Sequence, residues 1–68
     1  MIIYKALSKQ EFAEDAGVSP AQFRKWCKSN EAELKEFGVE ARTKILPPAA
    51  VGLLARKYQV MPRNATIL

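Results

Sequence analysis

The chain has 68 residues, of which 49% are hydrophobic and 26% are charged, and its formal net charge is +4. This length and balance predict one small globular domain and exclude a chain that is disordered throughout. The start, Met1–Leu7, has no basic segment before its apolar part, and no apolar run approaches the roughly 20 residues that cross a bilayer. We therefore expect no secretory signal and no membrane partner.

Two residue types limit the chemistry that is open to the chain. It has no histidine, the commonest general base, and its single cysteine, Cys27, can form neither an internal disulfide nor a zinc cluster. We therefore expect no enzyme, no metal or other cofactor and no small-molecule substrate, and the free cysteine is typical of the cytoplasm.

The charges are unevenly placed along the chain. Residues 1–40 carry six bases and seven acids, whereas residues 41–68 carry five bases and no acid. A basic surplus favours nucleic acid or another polyanion as the partner.

The first predicted helix follows a short β-branched, extended segment at the start of the chain. Ser8 can cap this helix and Glu11, three residues later, can return the hydrogen bond, which together form a capping box. Gly17 ends the helix because the residue there is expected to need a positive φ. The first helix is therefore predicted over 9–16.

The same signals repeat directly after the glycine. Ser19 can cap a second helix, Pro20 suits the first helical position, and Gln22 lies three residues after the cap. These residues predict a helix over 20–28. Because the turn between the two helices has only about three residues, residues 8–29 have the sequence form of a helix-turn-helix.

A third helix and a strand are predicted next. Asn30 and Glu33 have the spacing of a third capping box, which would open a short helix over 31–37. Prolines at 47 and 48 push the residues before them toward extended geometry, which favours a strand over 42–46.

The last quarter of the chain predicts one more helix and a tail. Helical apolar spacing covers 48–59, and Gly52 within it predicts close packing against a neighbouring group, since glycine costs an exposed helix about 1 kcal/mol relative to alanine. The tail, 60–68, either pairs as a strand or frays. The predicted fold class is therefore mainly α, with three to four short helices and a minor β element in a single domain.

Small and apolar residues in the first two helices match a known spacing. Counted from Lys9, the positions concerned are Phe12, Ala13, Ala16, Gly17, Val18, Phe23 and Trp26. This pattern resembles the helix-turn-helix family of DNA-binding domains, and the resemblance covers less than a third of the chain. It implies that the second helix enters the major groove of double-stranded DNA.

The second helix separates into two faces at 100° per residue. Phe23, Trp26 and Cys27 share one face and are predicted to be buried. The opposite face is small at its N-terminal end and carries cations, an arrangement suited to a major groove. The predicted DNA contacts, including two from the later strand, are Ser19, Ala21, Gln22, Arg24, Lys25, Lys28, Arg42 and Lys44.

The strand over 42–46 would then act as a wing. Arg42 and Lys44 are expected to alternate outward, with Ala41, Thr43 and Ile45 on the other side. The partner strand is predicted to be either residues 2–6 or the C-terminal stretch 66–68. This order resembles winged domains of the MerR and excisionase-like type. The chain lacks the long dimerisation helix of MerR regulators, so the resemblance favours a small bacterial transcription regulator or an excisionase-like architectural factor.

Two further questions stay open from the sequence. One module contacts few base pairs, so useful specificity requires a homodimer, tandem sites or a partner protein.

The alternative function is a protein-interaction adaptor, in which the helix-turn-helix is only a scaffold and an apolar patch near the C-terminal end, 65–68, docks a larger protein. Single-stranded nucleic acid is disfavoured because most of the six aromatic residues are predicted to be buried.

Overall fold

The computed structural model describes all residues, 1–68, as four helices and four two-residue strands. The helices are α1 (Lys9–Ala16), α2 (Pro20–Ser29), α3 (Glu31–Glu36) and α4 (Pro48–Tyr58), and the strands are β1 (Ile2–Ile3), β2 (Leu7–Ser8), β3 (Ile45–Leu46) and β4 (Thr66–Ile67). Helices account for 51% of the residues, which confirms the mainly α fold class with a minor β element. None of the helices is long and apolar enough to cross a bilayer.

The strands form two separate antiparallel ribbons. In the first, β1 pairs with β4, so that Ile2 lies opposite Ile67. In the second, β2 pairs with β3, so that Leu7 lies opposite Leu46. This second ribbon fastens the start of α1 to the segment before α4. The prediction for the partner of the later strand was therefore wrong, since residues 7–8 pair with it, and the C-terminal stretch pairs with β1.

The ends of α1 are where the local signals place them. The Ser8 hydroxyl accepts the Glu11 backbone N–H at 3.0 Å, and a Glu11 carboxylate oxygen accepts the Ser8 N–H at 3.4 Å, which completes the capping box. Gly17 ends the helix with φ of 71°, in the left-handed region that favours glycine. The turn between α1 and α2 is therefore built from local hydrogen bonds and one glycine.

Replacing Gly17 with valine tests this turn. A β-branched residue in the left-handed region is strained, and we expect the free energy of unfolding to fall by about 1–3 kcal/mol. In a domain of this size that lowers Tm by about 4–8 °C per kcal/mol, which thermal denaturation followed by circular dichroism measures. Gly17→Asn is the matched control, because asparagine tolerates this conformation. Equal Tm values for both variants and the original chain would contradict the placement of the turn.

The second helix begins as predicted and ends one residue later. The Ser19 hydroxyl accepts the Gln22 N–H at 3.1 Å, and Pro20 occupies the first helical position. The helix continues through Ser29, one residue beyond the predicted end. α3 and α4 each end one residue earlier than predicted, α4 because Gln59 takes the left-handed conformation with φ of 55°.

The core lies where all four helices and the second ribbon meet. Its buried side chains are Leu7, Phe12, Ala13, Phe23, Leu34, Val39, Leu46, Ala50, Val51, Leu54 and Ala55. Phe12 of α1 and Phe23 of α2 pack with their ring centroids 5.4 Å apart, which holds the two helices at a fixed angle. A buried phenylalanine or leucine contributes about 1.5–3 kcal/mol relative to an exposed one, so this cluster supplies most of the stabilisation.

The close packing expected at Gly52 is confirmed. A Cβ atom at this position would lie 3.0 Å from the Tyr4 ring. The guanidinium of Arg56, one turn later on α4, lies 5.9 Å from the centroid of the same ring. The glycine therefore lets α4 approach the segment that joins β1 to β2.

The third capping box was predicted wrongly. Asn30 makes no side-chain cap for α3 and is buried, with 2% of its surface exposed. Its side-chain amide instead donates to the Trp26 carbonyl at 2.7 Å and to the Tyr58 hydroxyl at 2.9 Å. The Trp26 carbonyl and the Tyr58 hydroxyl on α4 therefore take the place of the local cap and satisfy the amide nitrogen, whereas the buried Oδ1 has no hydrogen-bond partner within the chain.

Candidate nucleic-acid interface

The two faces of α2 separate in the structure. Phe23 is buried, with only 4% of its surface exposed, and points into the core. The predicted contact residues on the opposite side are all exposed, and they are Ser19, Ala21, Gln22, Arg24, Lys25 and Lys28. The fold therefore leaves this side of the helix open to a partner. We call the exposed residues Ala21, Gln22, Arg24, Lys25 and Lys28 the outward face of α2.

The cations of the outward face are not neutralised within the chain. The two ion pairs join Lys57 to Glu33 at 3.6 Å and Arg63 to Asp15 at 3.1 Å, and neither includes a residue of this face. No side-chain hydrogen bond within the chain uses the charged ends of Arg24, Lys25 or Lys28. Their charges are therefore available to an external anion.

The N-terminal end of α2 has small side chains, and its capping serine already makes one hydrogen bond to the backbone. Ala21 presents only a methyl group, so nothing bulky keeps a flat or grooved surface away from the helix. The Ser19 oxygen already accepts the Gln22 N–H, and its hydroxyl hydrogen remains free to donate. The Gln22 side chain makes no hydrogen bond within the chain and is exposed.

The predicted wing strand over 42–46 was wrong in extent. Only Ile45 and Leu46 form a strand, and residues 41–42 lie in a turn. The Thr43 N–H donates to the Glu40 carbonyl at 3.1 Å, and the Thr43 hydroxyl accepts the Glu40 N–H at 2.9 Å. These reciprocal bonds offer the backbone a local alternative to a strand, which threonine favours.

The bases of this loop are nevertheless exposed. Arg42 and Lys44 both face solvent, as predicted, but the expected alternation fails because Ala41 and Ile45 are exposed as well. Leu46, not Ile45, is the residue that the second ribbon buries.

Lys9 ties the loop to α1, and the sequence did not single it out for this role. Its ammonium donates to the Glu40 carbonyl at 2.8 Å, and its backbone N–H donates to the Lys44 carbonyl at 2.9 Å. A positive charge in the first turn of a helix interacts unfavourably with the helix dipole, so a lysine is unexpected at this position. This is the one local signal that Lys9 has a tertiary role.

The loop and α2 border one cleft. The cleft has a volume of about 500 Å³ and is lined by residues of α2, α3 and the 39–41 segment, together with Lys9. The structure therefore brings the start of the basic loop next to the Arg24 and Lys28 side of the outward face.

The aromatic side of α2 is less buried than predicted. Trp26 and Cys27 are half-buried at the edge of the core. The Trp26 ring stacks on Tyr58, with centroids 4.0 Å apart and an angle of 5° between the ring planes. Of the six aromatic residues only Phe12 and Phe23 are buried, while Phe37 is exposed.

Burial raises the pKa of the Cys27 thiol, and the charge of nearby Lys9 lowers it by a smaller amount. The folded chain therefore holds this proton more tightly than the unfolded chain. Stability is expected to fall as pH rises above the ordinary thiol pKa.

Alkylation of this single thiol measures the shift. Because the thiolate is the reacting species, the rate with iodoacetamide should reach half its maximum at a higher pH in the folded chain than in urea. Lys9→Met should move that midpoint higher still, because it removes the cation that lowers the pKa. Coincident midpoints in folded and unfolded chains, read by mass spectrometry, would contradict this assignment.

Together the fold and the exposed basic side of α2 define a small mainly α protein with an open cationic helix face. No protein-family model, curated protein or solved structure matches the chain.

Proposed function

We propose that this chain binds double-stranded DNA through α2, as a small winged helix-turn-helix protein. The observation that carries the proposal is the outward face of α2. Three cations lie on it, they are exposed, and no carboxylate of the chain pairs with them. A helix with this face fits the dimensions and the charge of a major groove.

The residue types on the outward face suit distinct contacts. Arg24, Lys25 and Lys28 would contact phosphates or guanine edges, and Gln22 can pair with adenine through its amide. Ala21 allows close approach, and the exposed N-terminal end of α2, with the Ser19 hydroxyl, favours a phosphate.

The loop over 39–44 and the second ribbon would take the place of a wing. Arg42 and Lys44 would contact the backbone beside the major groove, and Lys9 would hold the loop in position for that contact. One such module covers few base pairs, so target selection by a homodimer, at tandem sites or with a partner protein is part of the proposal. Its setting would be the bacterial cytoplasm, as a transcription regulator or an excisionase-like architectural factor.

A titration of fluorescently labelled duplex DNA at several salt concentrations tests the proposal. If about five cations contact phosphates, log K should fall with log salt with a slope of about −4 to −5. Binding that is undetectable at low salt, or a slope near zero, would contradict it.

A specific observation also favours the alternative, a protein-interaction adaptor. The first ribbon and the terminal residues next to it expose large apolar side chains, with Met1 87%, Ile67 70% and Leu68 71% exposed. Exposed apolar clusters of this kind mark interaction surfaces. If DNA is the partner of α2, Ile67→Lys should leave duplex binding unchanged. If the chain is an adaptor, neither form of the chain binds the duplex, and Ile67→Lys should abolish binding of the partner protein.

A further inference from the structure

We propose that the cleft between α2, α3 and residues 39–41 binds a small organic anion with an apolar body, such as an aromatic carboxylate, and that this ligand competes with DNA for α2. The competition with DNA rests on the proposed function, whereas binding of the anion in the cleft does not.

The size of the cleft suits a small molecule. Its volume of about 500 Å³ lies within the range of about 300–1,000 Å³ that is usual for ligand sites. One wall is α3, which has six residues and is therefore about 9 Å long. A partner helix anchored at positions i, i+4 and i+7 needs a longer groove than this, so a small ligand fits better than a helical peptide.

The floor of the cleft is apolar. Phe23, Leu34 and Val39 are core residues that line the cleft, and the half-buried Cys27 lies beside them. Burial of an apolar ring against this floor removes hydrocarbon surface from water, which is favourable in proportion to the area buried.

The rim selects for negative charge. Four bases and two acids border the cleft, and neither Glu31 nor Glu40 forms an ion pair with any of the bases. The Lys9 ammonium is bound to the Glu40 carbonyl, which leaves Arg24, Lys28 and Lys35 for a ligand. A carboxylate on an apolar body would pair with one of these cations while its ring lies on the floor.

Competition with DNA follows from shared residues. Arg24 and Lys28 belong both to the rim of the cleft and to the outward face of α2. An anion held by either side chain removes a cation from the face that would contact phosphates. Lys35 lies on α3 and belongs to the cleft alone, so it separates ligand binding from DNA binding.

The experiment uses 2-naphthoate as the probe and amide chemical shifts of the whole chain as the readout. At the efficiency of drug-sized ligands, a Kd of about 1 mM or tighter is expected, with shifts confined to residues around the cleft. The uncharged isostere 2-naphthamide should bind at least about fivefold more weakly, and acetate should cause no saturable shift, because the site needs both the ring and the charge.

Charge reversal on the rim supplies the matched comparison. Lys35→Glu should weaken 2-naphthoate at least about fivefold, whereas Lys5→Glu, an equal charge change at an exposed lysine outside the cleft, should leave the Kd unchanged. The same spectra report whether each variant is folded. Shifts spread over the whole surface, equal binding of the amide, equal effects of the two variants, or unfolding by the probe would each overturn the site.

The competition is measured separately. At a 2-naphthoate concentration near the Kd of the original chain, duplex binding by that chain should weaken more than duplex binding by Lys35→Glu, and an equal concentration of acetate controls for ionic strength. A chain that binds the probe at the cleft but binds no DNA refutes the proposed function and keeps the site. Unaltered DNA affinity with the cleft occupied overturns the competition.

Discussion

Replacing Phe12 with alanine is expected to remove a large part of the free energy of unfolding of the chain. Phe12 is fully buried, with 0% of its surface exposed, and its ring packs on Phe23 at the junction of α1 and α2. Truncations of this kind cost about 3–5 kcal/mol. A domain of this length has a total stability of roughly 3–10 kcal/mol, so one such loss removes a large part of it.

Trp26→Ala provides the comparison for this prediction. The sequence alone predicts a buried Trp26 and a similar cost for its removal, but the structure places it half-buried and stacked on Tyr58. Its loss should therefore cost less than that of Phe12. Urea denaturation followed by far-ultraviolet circular dichroism measures both, and a Phe12 variant more stable than the Trp26 variant would contradict the packing described above.

The second large effect is expected on DNA affinity. Replacing Arg24, Lys25 and Lys28 together with alanine should weaken duplex binding by at least about 100-fold, because each lost contact of this kind costs about 1–3 kcal/mol. The slope of log K against log salt should also become shallower by about 2.7, because three phosphate contacts are lost. All three side chains are exposed, so the fold should survive the change.

A second triple variant controls for net charge. Replacing Lys5, Arg56 and Lys57 with alanine lowers the net charge by the same three units, and none of these residues lies on α2. It should weaken binding far less than the first variant. Equal losses in fluorescence anisotropy titrations would mean that the overall charge, and not the outward face of α2, attracts the duplex.

Local chemistry made much of this fold predictable. The signals that begin and end these helices act on backbone groups within four residues of themselves. They are Ser8 with Glu11, Gly17, and Ser19 with Pro20, so the ends of α1 and the start of α2 follow from the sequence. The outward face of α2 follows in the same way, because the apolar face of a helix defines its exposed face.

Most of the larger misses depend on partners that are far apart in the chain, although the wing strand is short because Thr43 bonds locally to Glu40. Asn30 turned inward because Tyr58, 28 residues later, accepts its hydrogen bond. The second ribbon joins Leu7 to Leu46, and the loop over 39–44 is held by Lys9, more than 30 residues before it. Nothing in the local sequence specifies such partners, so the pairing of β2 with β3, its register and the cleft beside α2 required the structure.

A map of the amide chemical shifts of the chain, recorded as duplex DNA is added at low salt, tests the proposed function directly. In the proposed function, the outward face of α2 is the surface that contacts DNA. We expect the largest shifts over residues 19–28, with a second group at 42–44, and small shifts in β1 and β4. Shifts confined to the first ribbon, or none at all at low salt, would contradict the account.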